Sequence, residues 1–315
     1  MSSSKNSLII FLHIPKAGGT TLRSVISRQY EKQEIIDAPP LILSPKIDAA
    51  AIQKYLLSYQ ELFHLDNTND AKIIRGHLVF GIHNFLGRPT TYMTMLRHPI
   101  RRVVSTYFYM LKAYSEYMLR SNHESYLKLK KGAFQTNPQS KYITLEEFLH
   151  VDESLFSAKL DLDNGQVRRI AGLDNSLSTN TFGNLDRTAL DIAKQNLTQK
   201  IHIFGILEEY DKSLLLLKRY FQWNNSFYFK LNHSRKKEVS GNANTELVTE
   251  QGLELAKHLN SLDLELYDYA KEIFDERVAK EKYSFDKELK QFKLINPVLG
   301  ASYAFMQSAF RKLID

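Results

Sequence analysis

The stretch that most constrains the fold runs from Leu8 to Tyr30, LIIFLHIPKAGGTTLRSVISRQY. It opens on a short apolar run, Leu8 to Leu12 and then Ile14, interrupted only by His13. A run of that length, ended by Pro15, reads as a strand buried on both faces of a parallel sheet. Lys16, Ala17, Gly18 and Gly19 then form a tight turn, and Thr20 and Thr21 supply helix N-cap chemistry. Leu22, Val25 and Ile26 follow at helical spacing. Strand, glycine turn and helix together aim backbone N–H groups and the positive end of a helix dipole at one point beyond the strand. The ligand suited to such a point is a phosphate.

The pattern recurs along the chain. Ile35 to Leu43, with Pro39 and Pro40, predicts a short strand entering a loop, and Ile47 to Phe63 a helix. Lys72 to Arg75 predicts a strand with His77 just past its end. Tyr92 to Leu96 predicts another, ended by Arg97, with Pro99 in the first turn of the helix that follows. Val103, Val104, Tyr107, Phe108 and Leu111 give that helix its apolar face. Thr144 and Glu147 form a capping box for a short helix over Leu145 to Leu149. Further on lie a helix over Leu185 to Leu197, a strand over Ile201 to Leu207, an apolar helix after it, and helices over Thr245 to Asn260 and Leu262 to Lys280. Pro297 and Gly300 are expected to break the end of the chain before a last short helix around Tyr303 to Leu313. Strands alternating with helices imply an α/β fold, a central parallel sheet flanked by helices, with ligands beyond the carboxyl ends of the strands. One domain over residues 1–315 is expected, with an insertion or lid at 114–142 and a helical extension at 281–315.

Composition narrows the class. The 315 residues are 43% hydrophobic, ample for a core, and 42 basic against 35 acidic residues leave a net charge of +7. That excess suits an anionic ligand, but is too small and dispersed to indicate nucleic acid. With no cysteine, neither a disulfide nor a thiolate metal site is possible. His77 and His83 are six residues apart without a carboxylate between them, which is not a standard metal-ligand spacing. The polar start MSSSKNS and the shortness of the first apolar run argue against a signal peptide or membrane span, so a soluble, cytoplasmic protein is expected.

The loop is not the standard ATP or GTP loop, because Lys16 precedes the glycines instead of following them. The order PKAGGTT after an apolar strand resembles the 5′-phosphosulfate loop of sulfotransferases that use 3′-phosphoadenosine 5′-phosphosulfate (PAPS). HIPKAGGTTL is most similar to the carbohydrate branch, which holds heparan sulfate 2-O- and 6-O-sulfotransferases and their bacterial relatives. A second motif agrees. Arg97, Pro99, Arg102, Ser105 and Tyr107 follow that family's 3′-phosphate pattern, an arginine at a strand end and a serine eight residues later. A guanidinium grips a phosphate with two parallel hydrogen bonds and a hydroxyl adds a third.

The resemblance implies a P-loop-like three-layer fold and transfer of a sulfuryl group from PAPS to a hydroxyl acceptor, a saccharide or other glycan, leaving PAP and needing no metal. It assigns Lys16, Ala17, Gly18, Gly19, Thr20 and Thr21 to the 5′-phosphate, with Lys16 also stabilising the leaving group. Arg97 and Ser105 fall to the 3′-phosphate, and Arg235, with Lys236, to a late basic loop over the nucleotide. Two histidines compete for the base. His77, in RGHLVF, matches the second histidine of the 2-O-type H-G-H segment, with Arg75 in place of the first. His83, in FGIH, matches the 6-O-type G-L-H; His77 is preferred for its place at the strand end. Asn164, Gln166, Arg168 and Gly172 resemble a family segment over the active site, and Arg168 and Arg169 are either acceptor or nucleotide contacts or plain surface residues. The membrane anchor of Golgi members is not expected here, which points to a bacterial-type enzyme. Two rivals stand beside this reading: a nucleotide kinase on a related fold, and a non-catalytic binder of anionic polysaccharide or nucleic acid, which would show steep salt dependence.

Overall fold

The computed structural model describes residues 7–41, 49–58, 70–120, 143–151, 159–172, 181–224, 226–229 and 247–314. Five parallel strands, β1 (Leu8–Leu12), β2 (Ile35–Asp37), β3 (Ile73–Gly76), β4 (Thr90–Leu96) and β5 (Ile203–Ile206), form one sheet in the order β2-β3-β1-β4-β5. β1 is central and every one of its residues is buried, as an apolar run covered on both faces requires. Ile9 lies beside Ile73 on one side and Thr91 on the other, which places the carboxyl ends of β3, β1 and β4 side by side.

The helices are α1 (Gly19–Ile26), α2 (Ala49–Ser58), α3 (Pro99–Arg120), α4 (Leu145–His150), α5 (Gly165–Ala171), α6 (Thr188–Gln199), α7 (Tyr210–Phe221), α8 (Glu250–Leu259), α9 (Ser261–Lys280) and α10 (Lys282–Ile314). Leu22, Val25 and Ile26 of α1 bury against the sheet, and Leu214 to Leu217 of α7 join the same core. A second, smaller core forms where Val103, Tyr107 and Leu111 of α3 meet Leu145, Phe148 and Leu149 of α4 and Ala256 and Leu259 of α8. The capping box of α4 is present: Glu147 N donates to Thr144 Oγ1 at 3.3 Å, and Thr144 N to Glu147 Oε2 at 2.7 Å.

Two expectations change. The N-cap of α1 is Gly18, in the left-handed region at φ 82°, and Thr20 and Thr21 lie inside the first turn. The turn must reverse tightly after Lys16, which only a residue without Cβ does cheaply, so capping passes from the threonines to the glycine. The C-terminal break is also absent: α10 runs unbroken through Pro297. Proline removes one intrahelical hydrogen bond, and the helix is already anchored upstream by the buried Phe285 and Leu289 and by Glu288, which binds Lys218 at 2.5 Å and Arg219 at 2.9 Å. Of the expected 114–142 insertion, residues up to Arg120 belong to α3 and the remainder lies outside the described residues. Arg235 and Lys236 lie outside them too.

Candidate functional site

Because β3, β1 and β4 end together, the residues that follow them converge on one edge of the sheet. His77 follows β3, the loop from His13 to Gly18 follows β1, and Arg97 follows β4. The β3 and β1 ends are tied by His13 N, which donates to Gly76 O at 2.9 Å. The β1 and β4 ends are tied by Arg97, whose Nη1 donates to Lys16 O at 2.9 Å.

The loop is built to leave its N–H groups to a ligand. α1 has no side-chain cap, and its first-turn N–H groups have no intrahelical acceptor. Gly19 cannot carry a side chain, since a Cβ there would stand 1.9 Å from His13 Nε2. Lys16 itself has φ 64°, a left-handed conformation uncommon for a residue with a Cβ. That turn lifts its ammonium over the ring of Tyr109, 4.2 Å from the centroid, a cation–π contact. Burial and the neighbouring Arg97 charge lower the Lys16 pKa. Tyr109 was legible in principle, because it sits one helical turn beyond Ser105 on the same face of α3. Ser105 is half-buried there.

Arg97 is also mostly withdrawn from solvent, and burial lowers its pKa. Among the described residues no carboxylate bonds to it. The nearby Glu208 is committed elsewhere, accepting from His98 N at 3.1 Å and from Tyr267 OH at 3.0 Å. The backbone of Arg97 is fixed by a residue whose role the sequence did not reveal. Arg97 N donates to Gln166 Oε1 at 3.0 Å, and Gln166 Nε2 donates to Arg97 O at 2.9 Å. The resembling segment thus holds Arg97 through its glutamine.

Its arginines do something else. Arg168 and Arg169 are buried, and neither forms part of a surface or faces the loop as a free cation. Arg169 pairs bidentately with Asp161 at 2.7 and 2.8 Å and donates to Leu78 O at 3.0 Å, while Arg168 pairs with Asp163. Arg102 of the 3′-phosphate pattern is fully buried too, donating to Asp161 O at 2.6 Å and lying 3.4 Å from Asp263. Arg75, which stands where the 2-O-type pattern has histidine, binds Asp37 on β2 at 2.7 Å and Ser27 Oγ at 2.7 Å.

The two candidate bases differ in their surroundings. His77 stacks on His13 with ring centroids 4.4 Å apart, and His13 in turn stacks on Phe11 and covers Gly19. Among the described residues, Nδ1 of both His77 and His13 is buried without a hydrogen-bond partner. Burial first, then the positive charge of Arg169, lowers the His77 pKa to about 4, so its imidazole is neutral at pH 7. His83 instead has its Nδ1 3.1 Å from Tyr92 OH. Gly81 N and His83 N both donate to that hydroxyl oxygen, at 3.2 and 3.3 Å, which leaves the hydroxyl proton to point at His83 Nδ1. Tyr92 lies in the first half of β4, away from the strand's carboxyl end. Among the described residues no cluster of histidine or acidic residues suited to a metal ion occurs.

Residues 2–270 match a family model described as the sulfotransferase family. The chain is 25% identical over 308 residues to heparan-sulfate 6-O-sulfotransferase 1 of Homo sapiens, covering 90% of this chain and 68% of the relative. Identity to heparan-sulfate 6-O-sulfotransferase 2 of Gallus gallus is 25%, covering 86% of this chain and 67% of the relative. Identity to galactose-3-O-sulfotransferase 2 of Mus musculus is 23%, covering 84% and 61%. The chain therefore spans 61–68% of the length of these relatives.

Proposed function

The chain belongs to the sulfotransferase family, and from that premise we propose that it transfers a sulfuryl group from PAPS to a hydroxyl of a saccharide or glycan. The observation that carries the reading is the meeting of Lys16 and Arg97, two largely withdrawn cations with no carboxylate bonded to either among the described residues, beside a helix start that no side chain caps. A nucleotide with an anionic group at each end of its ribose fits that arrangement. The amides from Gly18 to Thr21 and the Lys16 ammonium would hold the 5′ end, with Ala17 N already given to Ile14 O at 3.3 Å, and Arg97 and Ser105 the 3′-phosphate. When bound, the nucleotide supplies an activated sulfuryl group whose departure builds negative charge on the oxygen it leaves.

The chain's own residues then have three tasks. Lys16 places a positive charge where that oxygen stands, in a site where burial strengthens the interaction. His77, neutral at pH 7, accepts the acceptor hydroxyl's proton on a ring nitrogen. His13 and Gln166 position these groups, the first by stacking on His77 and the second by fixing the Arg97 backbone. The coarser names of the relatives, which act on heparan sulfate and galactose, support a sugar acceptor. His77→Ala should abolish turnover with nucleotide affinity kept; the same result from His83→Ala instead would transfer the base assignment.

Calorimetric binding of 3′-phosphoadenosine 5′-phosphate, compared with AMP and with ATP, tests the donor. The 3′-phosphorylated nucleotide should bind alone, and Arg97→Ala should weaken it by about tenfold to a hundredfold, the scale of a charge-assisted hydrogen-bond pair. Equal binding of all three would sink the reading, and preference for ATP with magnesium would give the case to a kinase.

A further inference from the structure

The family match ends at residue 270, and α10 lies wholly beyond it. The first part of α10 packs on the domain through one face: Phe285, Leu289 and Asn296 are buried, and Asn296 Oδ1 accepts from Tyr228 N at 2.7 Å. A different face points outward and is apolar. Leu294 is 77% exposed, Ile295 52%, Val298 66% and Leu299 44%. Burying apolar area drives docking, and a contiguous exposed row of four such residues marks a contact surface. The charges are one-sided as well. From Leu289 to Ile314 the sequence carries Lys290, Lys293, Arg311 and Lys312 and no acidic residue; Lys290 and Lys293 are exposed, and the exposed acid before them is Asp286, one turn upstream of Lys290.

We propose that α10 is a membrane-surface element that lays its Leu294–Leu299 face into the interface of an anionic bilayer, with Lys290 and Lys293 on the lipid headgroups. Three arguments select this partner. The stretch without charge, Leu294 to Phe310, is bounded by basic residues on both sides, the arrangement of helices that lie in the interface plane. No helix among the described residues is long and apolar enough to cross a membrane, so the helix lies along the surface. A second copy of the chain is the weaker occupant, because pairing the same face would bring two sets of these cations together. The face shares no residue with the Lys16 and Arg97 site, so the inference does not rest on the proposed chemistry.

The test is sedimentation of the full chain with vesicles of phosphatidylcholine alone and of phosphatidylcholine mixed with phosphatidylglycerol. Binding is expected to the mixed vesicles, weakened by salt, and much weaker to phosphatidylcholine alone. Lys290→Gln with Lys293→Gln should lower the partition coefficient at least about tenfold, given the contribution of each basic residue at an anionic surface. Leu294→Glu with Ile295→Glu should abolish binding. All four positions are exposed, and an unchanged melting temperature verifies that each variant is folded. Absence of binding to mixed vesicles, equal binding to both vesicle types, or binding indifferent to both pairs of substitutions would overturn the proposal. A lipid-independent dimer dispersed by Leu294→Glu, in a chain that ignores vesicles, would assign the face to a second copy.

Discussion

Two groups of arginines sit within one fold and are treated in opposite ways. In the hub where α5 meets α3 and α9, every guanidinium has a buried carboxylate: Arg102 has Asp263, Arg168 has Asp163, and Arg169 has Asp161. At the carboxyl edge of the sheet, among the described residues, the Arg97 side chain bonds to the carbonyl of Lys16, and the Lys16 ammonium rests on the face of a tyrosine. The hub gives each cation a carboxylate in contact, whereas at the edge, among the described residues, Arg97 is offset by Glu208, which does not bond to it, and no carboxylate touches Lys16. A buried cation left without an anion costs free energy, so the fold keeps those at the edge only partly buried and braces them by backbone and ring contacts. The contrast separates arginines that hold the protein together from those available to a ligand.

Substitutions on each side should have effects of different kinds. Asp263 accepts from Gln166 N at 3.1 Å and Val167 N at 2.7 Å as well as facing Arg102, so Asp263→Ala strips a buried cation and a helix start at once. A loss of about 3–5 kcal/mol in urea-unfolding free energy is expected, the usual scale for breaking a buried pair. A loss under 1 kcal/mol would mean that the hub is not the structural element described. Lys16→Ala should do the reverse, leaving the unfolding midpoint in place and lowering turnover by about a hundredfold or more. Substantial unfolding in that variant would place Lys16 with the hub arginines.

The smallest effect is one of pH. His77 has a folded pKa of about 4 against 6.5 in a free chain, so the unfolded state takes up the proton first. Stability due to this group is complete above about pH 6.5 and is lost as pH falls towards 4. The acid limb of kcat/KM should therefore fall near pH 4 in the wild type. An acid limb at pH 6.5 would show a histidine in an ordinary aqueous environment and remove His77 from the role of base.

The sheet edge was legible because short apolar runs with a polar residue at the end mark both a strand and its carboxyl terminus. The placement of Lys16, His77 and Arg97 at that edge needed nothing more than that, while the roles expected of them came from the resemblance. The hub was legible only in outline. The run DLDNGQVRR places Asp161 and Asp163 within eight residues of both arginines, but which carboxylate takes which guanidinium depends on the turn at Asn164, whose φ is 48°. The bonds from Gln166 to Arg97 join residues 69 positions apart, and no periodicity announces a tertiary contact of that kind. Thr20 and Thr21 look like caps by residue type, yet the sharp reversal at Lys16 moved the helix start to Gly18. Pro297 looks like a stop, and packing upstream carries the helix across it.

The placement of β1 also has a consequence in time. It is the most enclosed strand of the sheet, yet it leaves the ribosome before every strand that covers its edges. Ile9 cannot pair until Ile73 has been made, and the sheet is not closed until β5, whose Ile203 lies beside Met93. At ordinary synthesis rates the first of those waits lasts on the order of several seconds. Pairing across such sequence distances makes folding slow, and an apolar strand with open edges is the segment most exposed to aggregation while it waits. The element that organises the finished molecule is thus the one in greatest need of protection during its making.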